Sequence, residues 1–235
     1  SKVLPFDIII TSFTTVLVPE ITRRVAAGEK ASAVTLYKAF LESSYIATGI
    51  LCCGAIAAAP QLMQLLYSEK YLSGLTVFII YILVDLLRFT NITLVLAVAG
   101  KTRWLMFLSF GTLAANALLN VLLYQLMGLP GPAVATLIVT LATGLLILSL
   151  SARVLDARLR NFFDLKCLAG FALVSAAAAF GMYRLQMLLA SRGLHYVVVM
   201  VITAGIYGLF MAALYGKRLL RAWKTVNKVT KREDG

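Results

Sequence analysis

The sequence has few of the residue types that carry most enzyme chemistry. It contains one histidine, His195, and three cysteines, of which Cys52 and Cys53 are adjacent. A single histidine at the edge of an apolar run does not complete a Ser/His/Asp or Cys/His set, and the cysteines lack the spacing of a metal site or a disulfide framework. A GxxxxGK[ST] phosphate loop is also missing. We therefore expect no enzyme activity, no metal and no other cofactor.

Charged residues are scarce as well, and apolar residues take their place. Charged residues make up 14% of the chain and hydrophobic residues 61%, whereas soluble domains are roughly 45 to 50% apolar. The sequence lacks the alternation of a strand, and apolar runs of about 20 residues are long enough to cross a hydrocarbon core as helices. The predicted fold class is an all-α polytopic membrane helix bundle.

Seven apolar runs are candidates for membrane spans, and the connections between them are too short to hold a soluble domain. The predicted bundle covers residues 1–216, and a basic tail covers 217–235. The first residue is Ser1, with neither a basic n-region nor a cleavage site of the secretory type, so we expect that a processed segment or further helices precede it. The predicted spans are Val3–Val18, Thr35–Ala59, Leu75–Ala99, Trp104–Leu126, Pro132–Leu150, Cys167–Arg184 and Leu194–Gly216.

Acidic residues are fewer than basic ones, at 10 against 22, for a net charge of +12. In a soluble protein this excess would suggest nucleic acid, but in a membrane protein the placement of Lys and Arg indicates topology. Clusters follow spans one, three, five and seven, whereas the alternate loops and helix ends hold only Lys2, Lys70, Arg184 and Arg192. We therefore expect no nucleic-acid partner, a cytoplasmic C-terminus and a first residue on the outer side.

Several ionisable or polar side chains lie within the predicted spans, where a charge costs about 2.5 to 3.5 kcal/mol on insertion scales. Asp85, Arg88 and Asn91 are three residues apart on span three, so the first two can pair within the helix. Such a pair could stabilise a polar interior or line a cavity that accepts an anion. Asp7 and Glu42 are candidates for proton or ion coupling.

Two further groups have a structural and a functional interpretation. Arg23 and Arg24 could anchor the chain to anionic lipid headgroups, or they could grip the phosphate of a lipid-linked substrate. Asn116 and Asn120, one turn apart on span four, could stabilise helix packing or face a substrate path. The basic tail is partly amphipathic and is predicted to lie on the anionic cytoplasmic leaflet, or to bind glycan-assembly proteins.

Three motifs, in this order, resemble the polysaccharide and O-antigen flippases of the multidrug/oligosaccharidyl-lipid/polysaccharide exporter superfamily. They are "LVPEITRRVAAGEK", with a Pro before a basic, Gly-containing loop, "LAVAGKTRW", with its A-G-K-T turn, and "NALLNVLLYQLMGLPGPAVAT", with an Asn-containing helix before a Gly-rich turn. The resemblance covers about Leu17 to Ser151. Pro132 departs from the pattern, since the family usually has Ala there.

The resemblance implies a two-lobed bundle of twelve or fourteen helices in the bacterial inner membrane, of which this chain would be the second lobe. It implies that the substrate is an undecaprenyl-diphosphate-linked oligosaccharide, moved to the outer leaflet by alternating access. The expected substrate-binding residues are Arg23, Arg24, Arg88, Asp85, Asn91 and Asn116.

Other functions stay open on the sequence. They are a peptidoglycan-precursor flippase, a cation-coupled drug exporter that uses Asp7 or Glu42, and a stand-alone seven-helix receptor or structural membrane protein. A retinal protein is disfavoured, because span seven has no lysine for a Schiff base.

Overall fold

The computed structural model describes residues 19–88, 93–162 and 164–230, and all regular structure in these ranges is helical. Residues 19–26 form a helical segment, and two 3-10 turns cover Glu69–Gly74 and Leu159–Asn161. The prediction of an all-α bundle is confirmed. In chain order the α-helices are α1 (Lys30–Ala57), α2 (Ala59–Tyr67), α3 (Leu75–Leu87), α4 (Leu94–Val98), α5 (Thr102–Met127), α6 (Pro130–Val154), α7 (Leu165–Ala190) and α8 (Tyr196–Thr230).

Six of the described helical stretches are long and apolar enough to cross a membrane, and they correspond to predicted spans two to seven. The first predicted span, with Asp7, lies outside the described residues. The chain is therefore a multi-pass membrane protein. The six stretches are Lys30–Ala57, Glu69–Leu87, Thr102–Met127, Pro130–Val154, Lys166–Ala190 and Tyr196–Leu220.

The third predicted span differs from the structure in its boundaries. The membrane-length stretch begins at Glu69, because a 3-10 turn leads directly into α3, and α3 ends at Leu87. The residues from Leu94 to Val98 form the separate short helix α4. The short helix α2, which follows α1 after a single residue, was not predicted either. Its exposed Leu66 and Tyr67 are typical of a helix at a membrane–water interface.

The α5–α6 connection is a tight hairpin. Helix α5 ends at Met127, and the φ of 67° at the following Gly128 is a left-handed conformation that glycine adopts without strain. Pro130 begins α6, where its missing N–H costs no helical hydrogen bond. A Cβ atom on Gly131 would overlap the backbone of Leu123. The two helices therefore meet backbone to backbone at this turn.

Helix α1 is the central element of the described bundle. It packs against α3, α7 and α8, while α3 also packs against α6, and α6 against α5. One face of α1 is fully buried, and two of its glycines, Gly49 and Gly54, lie directly against the rings of Phe171 and Tyr207. The Tyr207 hydroxyl donates a 2.9 Å hydrogen bond to the carbonyl of Ile50. The buried face consists of Tyr37, Leu41, Ser44, Thr48 and Cys52.

Helix α5 has a broad apolar surface that no other described helix covers. None of its residues is buried, and Phe107, Phe110 and Leu118 are among its exposed side chains. In a membrane-spanning helix such a surface is compatible with lipid contact, because acyl chains are as apolar as these side chains.

Helix α8 continues beyond its membrane-length part, so that the predicted tail is helical as far as Thr230.

Candidate functional site

Asp85 and Arg88 form an ion pair at the end of α3, as their spacing predicted. The Arg88 Nε atom lies 3.3 Å from Oδ1 of Asp85. The Asp85 side chain is 12% exposed and the Arg88 side chain is 53% exposed. The carboxylate is therefore held inside the bundle, and the guanidinium extends from it towards the surface. Asn91, the third member of this series, lies outside the described residues.

Helix α1 has buried hydroxyls at about the level of Asp85. Ile82, one turn before Asp85, packs against the buried Cys52. Because successive spans run antiparallel, one turn forward along α3 from Ile82 corresponds to one turn back along α1 from Cys52. Asp85 is therefore at about the same level as Thr48. The hydroxyls of Thr48 and Ser44 are buried, and neither has a hydrogen-bond partner among the described residues. Because a buried hydroxyl without a partner costs roughly 1 to 3 kcal/mol, this line of polar groups suits a path that admits water or a polar ligand.

The exposure of Arg88 restricts what can lie next to α3. Arg88 is the first residue after the membrane-length stretch Glu69–Leu87, so it lies at the end of the span, whereas the boundaries Leu75–Ala99 had predicted it within the span. An arginine at the end of a span can extend its guanidinium to the membrane–water interface, so its exposure is compatible with headgroup contact or with a polar partner.

Arg23 and Arg24 share one carboxylate, that of Glu20, which is only 4% exposed. The Arg24 Nε atom is 2.6 Å from Oε1 of Glu20, and Nη2 of Arg23 is 3.0 Å from Oε2. Nη1 of Arg24 also donates a 2.6 Å hydrogen bond to Oγ of Ser32, in the first turn of α1. Arg24, 21% exposed, therefore connects residues 19–26 to α1, whereas Arg23 is 60% exposed.

The same contacts affect the ionisation of Glu20. Burial raises the pKa of the Glu20 carboxyl, but hydrogen bonds from Arg24 and Arg23 and their positive charges outweigh burial. The pKa of Glu20 is accordingly below its ordinary value, and the carboxylate is ionised at neutral pH.

Glu42 lies between two cations. Its Oε1 atom is 3.8 Å from Nζ of Lys38, and its Oε2 atom is 3.7 Å from Nη2 of Arg218, in α8. The carboxylate therefore compensates the positive charge of α1 and α8. Its role in ion coupling stays a prediction.

Asn116 and Asn120 lie on the face of α5 that packs against α6. Their Oδ1 atoms are buried and have no hydrogen-bond partner among the described residues. The cross-helix bond in this contact joins two hydroxyls, those of Thr112 and Thr143, at 3.1 Å. The role of the two asparagines in helix packing and substrate binding by Asn116 both stay predictions.

The structure also assembles a group of charges that the sequence did not suggest. Lys30 at the start of α1, Lys101 just before α5, Arg153 near the end of α6 and Asp156 beyond it line one cavity of about 480 Å³. Nζ of Lys30 lies 2.5 Å from Oδ2 of Asp156. The sequence did indicate that all four residues lie at the predicted cytoplasmic ends of spans. It could not show that they meet, because that depends on which helices pack together.

Comparison of the chain with family models, curated protein sequences and solved structures finds no match. The resemblance to flippases therefore rests on its three motifs. In the part of the chain that the structure describes, no three His, Cys, Asp or Glu side chains are grouped so as to hold a metal ion.

Proposed function

We propose that the protein moves an undecaprenyl-diphosphate-linked oligosaccharide across the bacterial cytoplasmic membrane, as a second lobe of a two-lobed flippase. The observation that carries the proposal is the half-exposed Arg88, which the nearly buried Asp85 holds at the end of the membrane-length stretch Glu69–Leu87. A guanidinium can bind two phosphate oxygens at once, and it keeps its charge at any physiological pH. A diphosphate that crosses the bilayer needs such a group on its path.

The polar face of α1 supports the same function. Ser44 and Thr48 provide buried hydroxyls on α1, at about the level of the Asp85–Arg88 pair, and these hydroxyls can bond to water or to a sugar hydroxyl. Arg23, at the predicted cytoplasmic side, is 60% exposed while paired with Glu20, so the diphosphate can first meet its guanidinium there. Alternating access would then proceed by movement of one helix bundle against another around Arg88. In this orientation the C-terminus of the chain is cytoplasmic.

The test is a flipping assay with the full chain in liposomes. A fluorescent prenyl-diphosphate oligosaccharide is placed in both leaflets, and a membrane-impermeant quencher reports how fast the protected pool becomes accessible. We expect Arg88→Ala to slow this rate about 10- to 100-fold, because hydrogen bonds between charged groups contribute about 1.5 to 3 kcal/mol. Arg88→Lys should retain part of the rate. Arg184→Ala, which removes an exposed arginine from α7, is the matched control and should leave the rate unchanged.

The same liposomes discriminate between the proposal and its competitors. Full flipping by a variant with Arg23→Ala, Arg24→Ala and Arg88→Ala would contradict the proposed role of the arginines. Transport of an organic cation that Glu42→Gln abolishes and Arg88→Ala does not affect would instead indicate a drug exporter. A folded chain that moves neither substrate would favour a receptor or structural protein.

A further inference from the structure

The cavity bordered by Lys30, Lys101 and Arg153 lies where the predicted cytoplasmic ends of α1, α5 and α6 converge. Three cations and one carboxylate, Asp156, line it, so its formal charge is +2. The carboxylate is engaged by Lys30. Within the described part of the chain, neither Lys101 nor Arg153 has a carboxylate within ion-pair distance. The cavity therefore presents uncompensated positive charge to whatever enters it.

An apolar groove continues from this cavity between α5 and α6. It has a volume of about 340 Å³, and its apolar walls include Phe107, Leu108 and Leu146. Trp104, Leu150 and Arg153 line both spaces, so the groove opens from the basic cavity. The groove follows the first two turns of α5, the helix whose outer surface no described helix covers. A ligand with an anionic head and an apolar chain would match both parts.

We propose that this paired cavity and groove bind an anionic phospholipid of the cytoplasmic leaflet. Lys101 and Arg153 contact its phosphate, and one acyl chain lies along Phe107 and Leu146. Basic cavities between helices at the cytoplasmic surface favour anionic headgroups, because the local charge adds to that of the leaflet. Trp104 is positioned between the charged and the apolar part, as expected for an indole at the headgroup level.

A lipid explains the geometry better than a free phosphate does. A soluble anion would use the basic cavity but leave the adjoining apolar groove empty. The site is separate from the Asp85–Arg88 pair, since none of its lining residues belongs to α3. The phospholipid would therefore be a bound component of the protein whether or not the chain is a flippase.

The test uses the fluorescence of Trp104 in the full chain. The protein has only two tryptophans, so Trp223→Phe leaves Trp104 as the sole source of tryptophan fluorescence. The chain is reconstituted in phosphatidylcholine vesicles that contain increasing fractions of brominated phosphatidylglycerol, whose bromine atoms quench an indole on contact. Brominated phosphatidylcholine is the reference lipid. We expect quenching by the anionic lipid to saturate at about a tenfold lower fraction than quenching by the reference lipid.

Variants separate a site from general attraction to a negative surface. Lys101→Gln with Arg153→Gln should remove the preference, whereas Lys101→Arg with Arg153→Lys should preserve it, since the charges are kept. Arg158→Gln with Arg160→Gln removes the same charge from exposed positions on the same side of the bundle and outside the cavity. This control should keep the preference.

Three results would overturn the proposal. The first is equal quenching by the two brominated lipids in the protein with both cations present. The second is an equal loss of preference in the cavity variant and the Arg158/Arg160 control, which would indicate diffuse attraction only. The third is displacement of the quenching by inorganic phosphate in millimolar excess, which would indicate a soluble anion as the ligand.

Discussion

At the scale of single residues, the arrangement around Glu20 shows how a short helical segment neutralises part of its own positive charge. Arg23 and Arg24 follow Glu20 by three and four positions, which places all three side chains on one side of a helical turn. The nearly buried carboxylate accepts hydrogen bonds from both guanidinium groups. The motif from which we predicted a phosphate site therefore already contains an anion, the Glu20 carboxylate, which both arginines bind.

Replacing this anion should destabilise the connection between residues 19–26 and α1. We expect Glu20→Gln to lower the free energy of unfolding by about 1 to 3 kcal/mol, because it leaves the half-buried Arg24 without its counter-charge. The pair with Arg23 adds little, since Arg23 is mostly exposed. Thermal unfolding in detergent measures the effect. Glu29→Gln, at an exposed carboxylate without a cap hydrogen bond, should change stability by less than about 0.5 kcal/mol.

The effect of Glu20 should depend on pH in one direction. Since the folded pKa is below the ordinary value of 4.5, the carboxylate contributes stability at pH values above 4.5, and this contribution is lost as the pH falls through the folded pKa. The difference in stability between the natural protein and Glu20→Gln should be constant near neutral pH and shrink in acid. A difference that grew towards low pH would contradict this assignment.

At the scale of elements, small residues decide how closely the helices approach. Gly131 allows α6 to touch the backbone of α5 at the hairpin, and Gly49 and Gly54 accept aromatic rings of α7 and α8 on α1. Lipid supplies no hydrophobic driving force between spans, so close packing of this kind is a main source of association.

Adding one methyl group at two glycines should have opposite effects. Gly131→Ala should destabilise the α5–α6 hairpin by about 1 to 3 kcal/mol, because the new Cβ would overlap backbone that cannot move independently. Gly111→Ala, on α5, meets open space and should be neutral or stabilising by up to about 1 kcal/mol. Thermal unfolding of both variants tests this, and equal effects would show that the hairpin is less tight than described.

At the scale of the whole molecule, the alternation of basic and nearly uncharged ends sets the expected orientation. Residues 155–164, between α6 and α7, carry Arg158 and Arg160, whereas the turn between α7 and α8 carries only Arg192. By the positive-inside rule the first connection is cytoplasmic and the second is outside.

Site-specific labelling can test this orientation. In a chain without the three native cysteines, Ser191→Cys should react with an impermeant thiol reagent in intact cells. Arg158→Cys should react only after the membrane is permeabilised. Both positions are exposed, so neither is protected by packing. The reverse pattern would show an inverted topology, and labelling of both in intact cells would show that the intervening α7 does not span the membrane.

The sequence by itself determined the fold class, the six membrane-length stretches among the described residues and the Asp85–Arg88 pair. Each depends on local chemistry: an apolar run of sufficient length must satisfy its own backbone hydrogen bonds in lipid, and residues three apart on a helix are neighbours. The boundaries of the third span and the short helices α2 and α4 were missed, because short interfacial helices lack a distinctive length or period.

Only the tertiary structure decided which distant residues meet. It placed Arg218 beside Glu42 and gathered Lys30, Lys101 and Arg153 around one cavity. Spans of similar apolarity can be arranged in many ways, and the choice depends on packing between helix faces rather than on the hydropathy of each span. The residues of a site that several helices build can therefore be identified only once the neighbours of each helix are known.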